Sequence, residues 1–203
     1  MWFDISIPLN NSTPIYPSDP LYKALPHKIG GVNSRVTLNR LELSTHTGTH
    51  IDAPLHVMPN GKSITDIPLS TFIGTCYVLE TKNFSLADLD SLPTDVKRVL
   101  CKANGNMPKS SLWLDNYRGM PPNFAFALSQ KAPFLVGIDA LSIEEKNRDI
   151  LESHKIFLEK DIVILEGIDL SEVEQGYYEL FATPLRLENL DGSPVRAVLK
   201  KIV

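Results

Sequence analysis

What this chain lacks narrows it before any motif is read. Only two of its 203 residues are cysteines, Cys76 and Cys101, and neither has a metal-type spacing. Two thiols leave room for one disulfide at most and suit a reducing compartment better than a disulfide-stapled secreted fold. Long hydrophobic runs are also missing. Phe134 to Ile138 and Ile162 to Leu165 fall far short of the ~20 apolar residues that span a bilayer. Nor is there a basic excess: the net charge is -4, so neither nucleic acid nor an acidic membrane surface is an expected partner. The opening Met1-Trp-Phe-Asp-Ile-Ser-Ile-Pro carries no basic region and does not read as a signal peptide, which makes the cytoplasm the expected location.

Repeats and low-complexity segments are absent, and 15 prolines outnumber 11 glycines, a balance that favours short elements joined by defined turns. Trp2 to Ile7 alternates as an opening strand, and Asn10 to Pro20 reads as a proline-rich loop. Arg35 to Leu43 alternates cleanly, predicting a half-buried strand. Thr75 to Leu79, Arg98 to Cys101, Phe134 to Ile138 and Asp161 to Leu165 are apolar runs expected as further strands. Ser142-Ile-Glu-Glu145 has the spacing of a helix capping box, and Leu151 to Lys160 predicts a short helix. Tyr178 to Leu187 and Val195 to Val203 close the chain as strands around a turn at Asp191-Gly-Ser-Pro194. The expected architecture is α/β, a single domain over 1–203, with a strand-rich mixed sheet or barrel-like core and a few short helices.

Against this ordinary background one segment stands out: His46-Thr-Gly-Thr-His50-Ile-Asp52-Ala-Pro-Leu-His56. It holds three of the chain's five histidines and a carboxylate within eleven residues. Neutral imidazole and ionised carboxylate suit a borderline divalent ion such as zinc. His46, His50, Asp52 and His56 are all even-numbered, so an extended backbone would turn them to one face. Ten residues of strand span roughly 33 Å, whereas the ligands of one ion sit about 2 Å from it. The segment must therefore bend, and Gly48 and Pro54 are where a bend is expected.

Other parts of the chain should complete the coordination. His154 lies on the predicted helix, and Glu166 ends the apolar run Ile162-Val-Ile-Leu165, where an unpaired carboxylate would be costly. The inventory suits two divalent ions sharing bridging carboxylates, an arrangement used for hydrolysis. His27, beside Pro26, matches no ligand pattern and reads as structural or exposed.

The segment 46–56 resembles the H-x-G-T-H-x-D-x-P-x-H signature of the cyclase family, whose best-known members are bacterial kynurenine formamidases, with isatin hydrolases as relatives. Pro14-Ile-Tyr-Pro-Ser-Asp19, Val136-Gly-Ile-Asp139 and Gly192-Ser-Pro-Val-Arg-Ala197 resemble that family's early loop, central strand and tail. The resemblance implies a swivelling β/β/α fold in a dimer or tetramer. It also implies that His46 and His50 bind a first metal, that Asp52 bridges, that His154 binds a second metal, and that Glu166 reaches both. His56 matches the family's proton donor and acceptor, and Tyr16 the aromatic residue against the substrate.

The expected activity is metal-dependent hydrolysis of a carbon–nitrogen amide bond in a small molecule, with N-formylkynurenine the first substrate to try. A cyclic amide or lactone opened by the same machinery is the alternative. A non-catalytic metal-binding protein is a second reading, and a two-His-one-carboxylate iron oxygenase a third. Zinc is the expected ion and manganese the alternative, with one or two ions per subunit.

Overall fold

The four apolar runs expected as further strands lie side by side at the centre of one sheet. The computed structural model describes residues 1–17, 19–27, 37–105, 117–131, 133–145 and 150–202. Its strands are β1 (Trp2–Asp4), β2 (Lys23–His27), β3 (Leu38–Glu42), β4 (His50–Asp52), β5 (Ile73–Glu80), β6 (Arg98–Lys102), β7 (Leu135–Ile138), β8 (Val163–Glu166), β9 (Gly176–Phe181), β10 (Gly192–Pro194) and β11 (Val198–Lys201). Three short helices accompany them: α1 (Leu69–Phe72), α2 (Pro122–Ser129) and α3 (Glu152–Leu158).

Nine strands form a mixed sheet in the order β1-β11-β9-β5-β6-β7-β8-β4-β10. The pairs β5–β6, β6–β7 and β7–β8 are parallel, and antiparallel strands extend the sheet on both sides. Parallel strands are covered on both faces, which explains their continuous apolar sequence. One face packs beneath α2 and α3, where Val99, Val136, Ile138 and Ile164 meet Phe124, Leu128, Phe157 and Leu158. The other face gathers Leu100, Leu135 and Leu165 with Ile51 from β4 and Leu199 from β11. Strands near opposite ends of the sheet thus share one cluster, so the sheet curls around it into a half-barrel. Cys76 lies in one cluster and Cys101 in the other, on opposite faces of the sheet; both are free thiols, so the one conceivable disulfide is not formed.

Four local expectations are corrected. Within the Arg35 to Leu43 span, β3 pairs among the described residues only with β2, and Leu38 and Leu41 are 46% and 57% exposed; residues 35 and 36 lie outside the described residues. Alternation is equally compatible with a two-stranded ribbon whose leucines stay exposed, and that is what forms. Residues 142–145 are not helical, so Ser142 caps no box; its Oγ accepts from the Glu144 N–H two residues on (3.2 Å). The expected turn at Asp191 to Pro194 contains strand β10, paired with β4. The two closing strands are shorter than expected, β9 ending at Phe181 and β11 starting at Val198. Helix α2 had no sequence reading. It starts with proline in its first turn, a position that needs no N–H donor, but eight mostly apolar residues give little helical periodicity.

Candidate metal centre

The signature segment bends at both expected places. Gly48 takes φ +73°, and Pro54 opens a single 3-10 turn over Pro54–His56. Between them, β4 is only three residues long. His50 and Asp52 share one of its faces, while Ile51 points into the core on the other. β8 lies antiparallel on one side with Glu166 directly opposite His50, and β10 on the other side brings in Asp191. A close backbone crossing holds this together. A Cβ on Gly167 (φ +67°) would lie 2.4 Å from the Gly48 carbonyl oxygen, so only glycine permits the approach. Across the same crossing, the Thr49 hydroxyl donates to the Gly167 carbonyl (2.5 Å) and accepts from the Ile7 N–H (2.9 Å).

The donors converge on two carboxylates. Asp52 Oδ1 lies 2.7 Å from His46 Nδ1 and 3.3 Å from His50 Nε2. Glu166 Oε2 lies 3.5 Å from His50 Nε2, and its Oε1 3.3 Å from His154 Nε2. Among the described residues the second oxygen of Asp52, Oδ2, is buried without a hydrogen-bond partner, with His154 Nε2 at 3.7 Å. A buried carboxylate oxygen left without a proton donor is costly unless a cation completes it. His50 Nδ1 donates to the Gly48 carbonyl (2.9 Å), and His154 Nδ1 faces Glu144 Oε2 (3.1 Å). Both rings therefore turn Nε2 toward the shared carboxylates, as ligating histidines with an outer partner do.

Crowding of opposite charges shifts every member. Burial opposes protonation of His46, but hydrogen bonds to Asp191 and Asp52 raise its pKa to about 9. Burial likewise opposes protonation of His154, and Glu144 and Glu166 raise it to about 10. His50, against burial, is held well above the ordinary value by Asp52 and Glu166. Burial pushes the Asp52 carboxyl up, yet His50 and His46 pull it well below the usual range. Glu166 is pushed up by burial and by Asp52, and brought down on balance by His154 and His50.

His46, Asp52 and His56 offer donor atoms that lie within 4.8 Å of one another, and so do His50, Asp52 and Glu166. The donor set and the orphaned Asp52 oxygen both fit a divalent cation. All five expected ligands and His56 are thus brought together. His56 differs from its neighbours in setting: its side chain is 26% exposed, against 5% or less for His50, Asp52, His154 and Glu166. His46, His50, His56, His154 and Glu166 form the floor of a cleft of about 500 Å³ whose walls include Tyr16, Asp19, Ser44, Leu141 and Leu151, and Asp52 is buried beside them. Tyr16 stands in the cleft wall with 58% of its surface exposed.

Two residues of the site escaped the sequence. Asp191 Oδ2 lies 2.8 Å from His46 Nε2 and 3.4 Å from His56 Nδ1, and its Oδ1 accepts from the Thr45 hydroxyl (3.0 Å). In sequence it looked like the first residue of a turn. Glu144 is buried against His154 and looked like part of a capping box. No spacing rule connects either to the histidines.

A curled mixed sheet with buried imidazoles and carboxylates converging below an open cleft defines a metal-dependent enzyme. The sequence model of the family described as Putative cyclase matches residues 3–145, and the chain belongs to that family. It is 36% identical to the kynurenine formamidase of Paracidovorax citrulli (98% of this chain, 96% of the relative) and 34% identical to that of Bacillus thuringiensis subsp. konkukian (99% and 98%). Among solved structures, one described as a potential metal-dependent hydrolase with cyclase activity superposes with a TM-score of 0.82 at 28% identity, covering 100% of this chain and 99% of that one. An isatin hydrolase bound to a product analogue, thioisatinate, superposes with a TM-score of 0.77 over 98% of this chain and 91% of that one; at 20% identity the likeness is one of fold.

Proposed function

We propose that this chain is a metal-dependent amidohydrolase that cleaves the formamide bond of N-formylkynurenine, releasing kynurenine and formate. The observation that carries the reading is the orphaned Asp52 Oδ2, buried among His46, His50, His154 and Glu166 at the base of the cleft. Full-length similarity to formamidases supports the substrate. In this reading His46 and His50 would hold one ion and His154 a second, with Asp52 and Glu166 as carboxylate ligands shared between the two. Zinc is the proposed ion and manganese the alternative. The chemistry such an ion would supply is activation of water at neutral pH, whose pKa it would lower from ~15.7 toward ~7.

The chain's own residues do the rest. Water adds to the formyl carbon, the carbon–nitrogen bond breaks, and the departing nitrogen needs a proton. An imidazole is suited to deliver one, and His56 lines the cleft with Nδ1 turned to Asp191 (3.4 Å), which leaves Nε2 as the nitrogen for substrate. Tyr16 and Leu151 form walls against which an aromatic ring can lie. The exposed leucines of the β2–β3 ribbon, Leu25, Leu38 and Leu41, support a homo-oligomer, a dimer or tetramer. The free, buried Cys76 and Cys101 support a cytoplasmic setting.

The test is turnover by the zinc- or manganese-loaded protein against N-formylkynurenine, an isatin-type lactam and a lactone. Preferential hydrolysis of the formamide is expected. A metal-loaded protein that opened only the cyclic substrates would shift the assignment to the isatin hydrolase type, and one inert toward all three would leave metal binding alone.

A further inference from the structure

Glu144 is a buried carboxylate that the proposed reaction does not use, 4% exposed, on a non-helical segment between β7 and α3. Its Oε2 accepts from the Ser153 N–H (3.1 Å) and the His154 N–H (3.4 Å) and lies 3.1 Å from His154 Nδ1. Ser153 and His154 are in the first turn of α3, whose own N-cap residue, Leu151, offers no side-chain bond. Glu144 thus satisfies two backbone donors that the helix leaves open and fixes the imidazole carried by the second. Its neighbour Ile143 donates its N–H to Glu166 Oε1 (2.6 Å). Two adjacent residues therefore brace two different donors: Glu144 holds the ring of His154, and the backbone of Ile143 holds the carboxylate of Glu166.

A carboxylate on Nδ1 has a specific consequence for the opposite nitrogen. It keeps one ring proton on Nδ1, so that Nε2, which faces Asp52 Oδ2 (3.7 Å) and Glu166 Oε1 (3.3 Å), is the nitrogen that would give up its proton to an ion and bind it as a stronger donor. No such carboxylate serves His50, whose Nδ1 is turned to a backbone carbonyl instead. We propose that Glu144 is the positioning residue of the His154 half of the centre, setting the affinity of the ion held by His154 and Glu166 while leaving the ion held by His46 and His50 almost untouched. This rests on the two-ion reading above.

The experiment is a zinc titration of the metal-free, full-length protein by calorimetry, with bound metal counted by elemental analysis, for wild type, Glu144→Gln, His154→Ala and the double variant. Glu144→Gln puts a neutral side chain in place that still accepts from Ser153, so the helix cap survives while the charge on Nδ1 is lost. Wild type is expected to take up two ions and His154→Ala one. Glu144→Gln should weaken the second ion about 10–100-fold, the usual loss for an outer-shell partner, with the first ion within about twofold of wild type. The double variant should match His154→Ala, because Glu144 acts through that ring. If Glu144→Gln does not fold, Glu144→Asp, which keeps the charge but shortens its reach, is expected to weaken the second ion selectively in the same way. Unchanged affinity for the second ion, or equal weakening of both ions, overturns the inference while the two-ion reading stands. A wild type that holds one ion, kept at full affinity by His154→Ala, overturns both.

Discussion

His50 and Glu166 are backbone partners, facing each other in the antiparallel register of β4 and β8, and their side chains meet at 3.5 Å. The sheet itself therefore sets the spacing of two donors, rather than a loop. Sites built on regular elements hold their geometry closely, and the rest of the cluster is assembled around this fixed pair.

His56 stands apart from that pair by its exposure and its place in the cleft. Replacing it with alanine is expected to leave metal content unchanged and to lower kcat about 10²–10⁴-fold, the range for loss of a general acid. Elemental analysis beside steady-state kinetics decides the point. Loss of metal in His56→Ala would instead make this residue a ligand.

Asp191 lies against both His46 and His56. The Asp191→Asn variant should keep KM within about twofold and lower kcat about 10–100-fold, as loss of an orienting carboxylate does. A change confined to KM would place Asp191 in substrate binding.

The pH dependence of the metal-free protein follows from the cluster. The folded-state pKa values of His46, about 9, and His154, about 10, lie above the ordinary 6.5, so protonation favours the fold. Their contribution is complete below about pH 6.5 and lost as pH rises through 9 to 10. Asp52 and Glu166, both lowered, contribute in the opposite sense: their stabilisation is present above the ordinary carboxylate range and lost as pH falls through their folded values. Thermal unfolding in chelator should show a midpoint that declines toward alkaline pH. Zinc competes with the same protons, so its affinity should rise over the interval in which the metal-free fold weakens. A metal-free midpoint independent of pH between about 7 and 10 would contradict the charged cluster.

Gly167→Ala should be among the most damaging small substitutions outside the donors. It would force a left-handed backbone on alanine and set a methyl 2.4 Å from the Gly48 carbonyl oxygen. A cost of about 1–3 kcal/mol is expected from the backbone alone, and the crossing that seats His50 would open. Denaturant unfolding of the metal-free protein measures the first effect and zinc titration the second. A variant as stable as wild type would show that the crossing can relax.

The sequence exposed the centre of the sheet and the donors for different reasons. β5 to β8 were legible because strands buried on both faces must be apolar throughout, and Glu166 was legible because it breaks such a run. The bends at Gly48 and Pro54 followed from the reach of a single ion. Asp191 was hidden because it acts across a large separation, and Glu144, ten residues before His154, was hidden because the segment it shares with Ser142 read as a helix cap. Asp191 to His46 spans 145 residues. β10 read as a turn because Asp-Gly-Ser-Pro has turn composition, and only its partner β4 makes it a strand. The ribbon of β2 and β3 misled in the opposite sense, since alternation reveals two faces but not whether anything lies against either.

The pairing of β4 with β8 and β10 carries a consequence for biosynthesis. The four polar groups of residues 46–56 leave the ribosome early, but their strand has no neighbours until residues 163–166 and 192–194 have been made. Contacts of such long sequence separation form late and slowly. A nascent or truncated chain therefore exposes the histidines without the geometry to hold an ion firmly. Metal loading becomes a report that the chain has been translated and folded through β10.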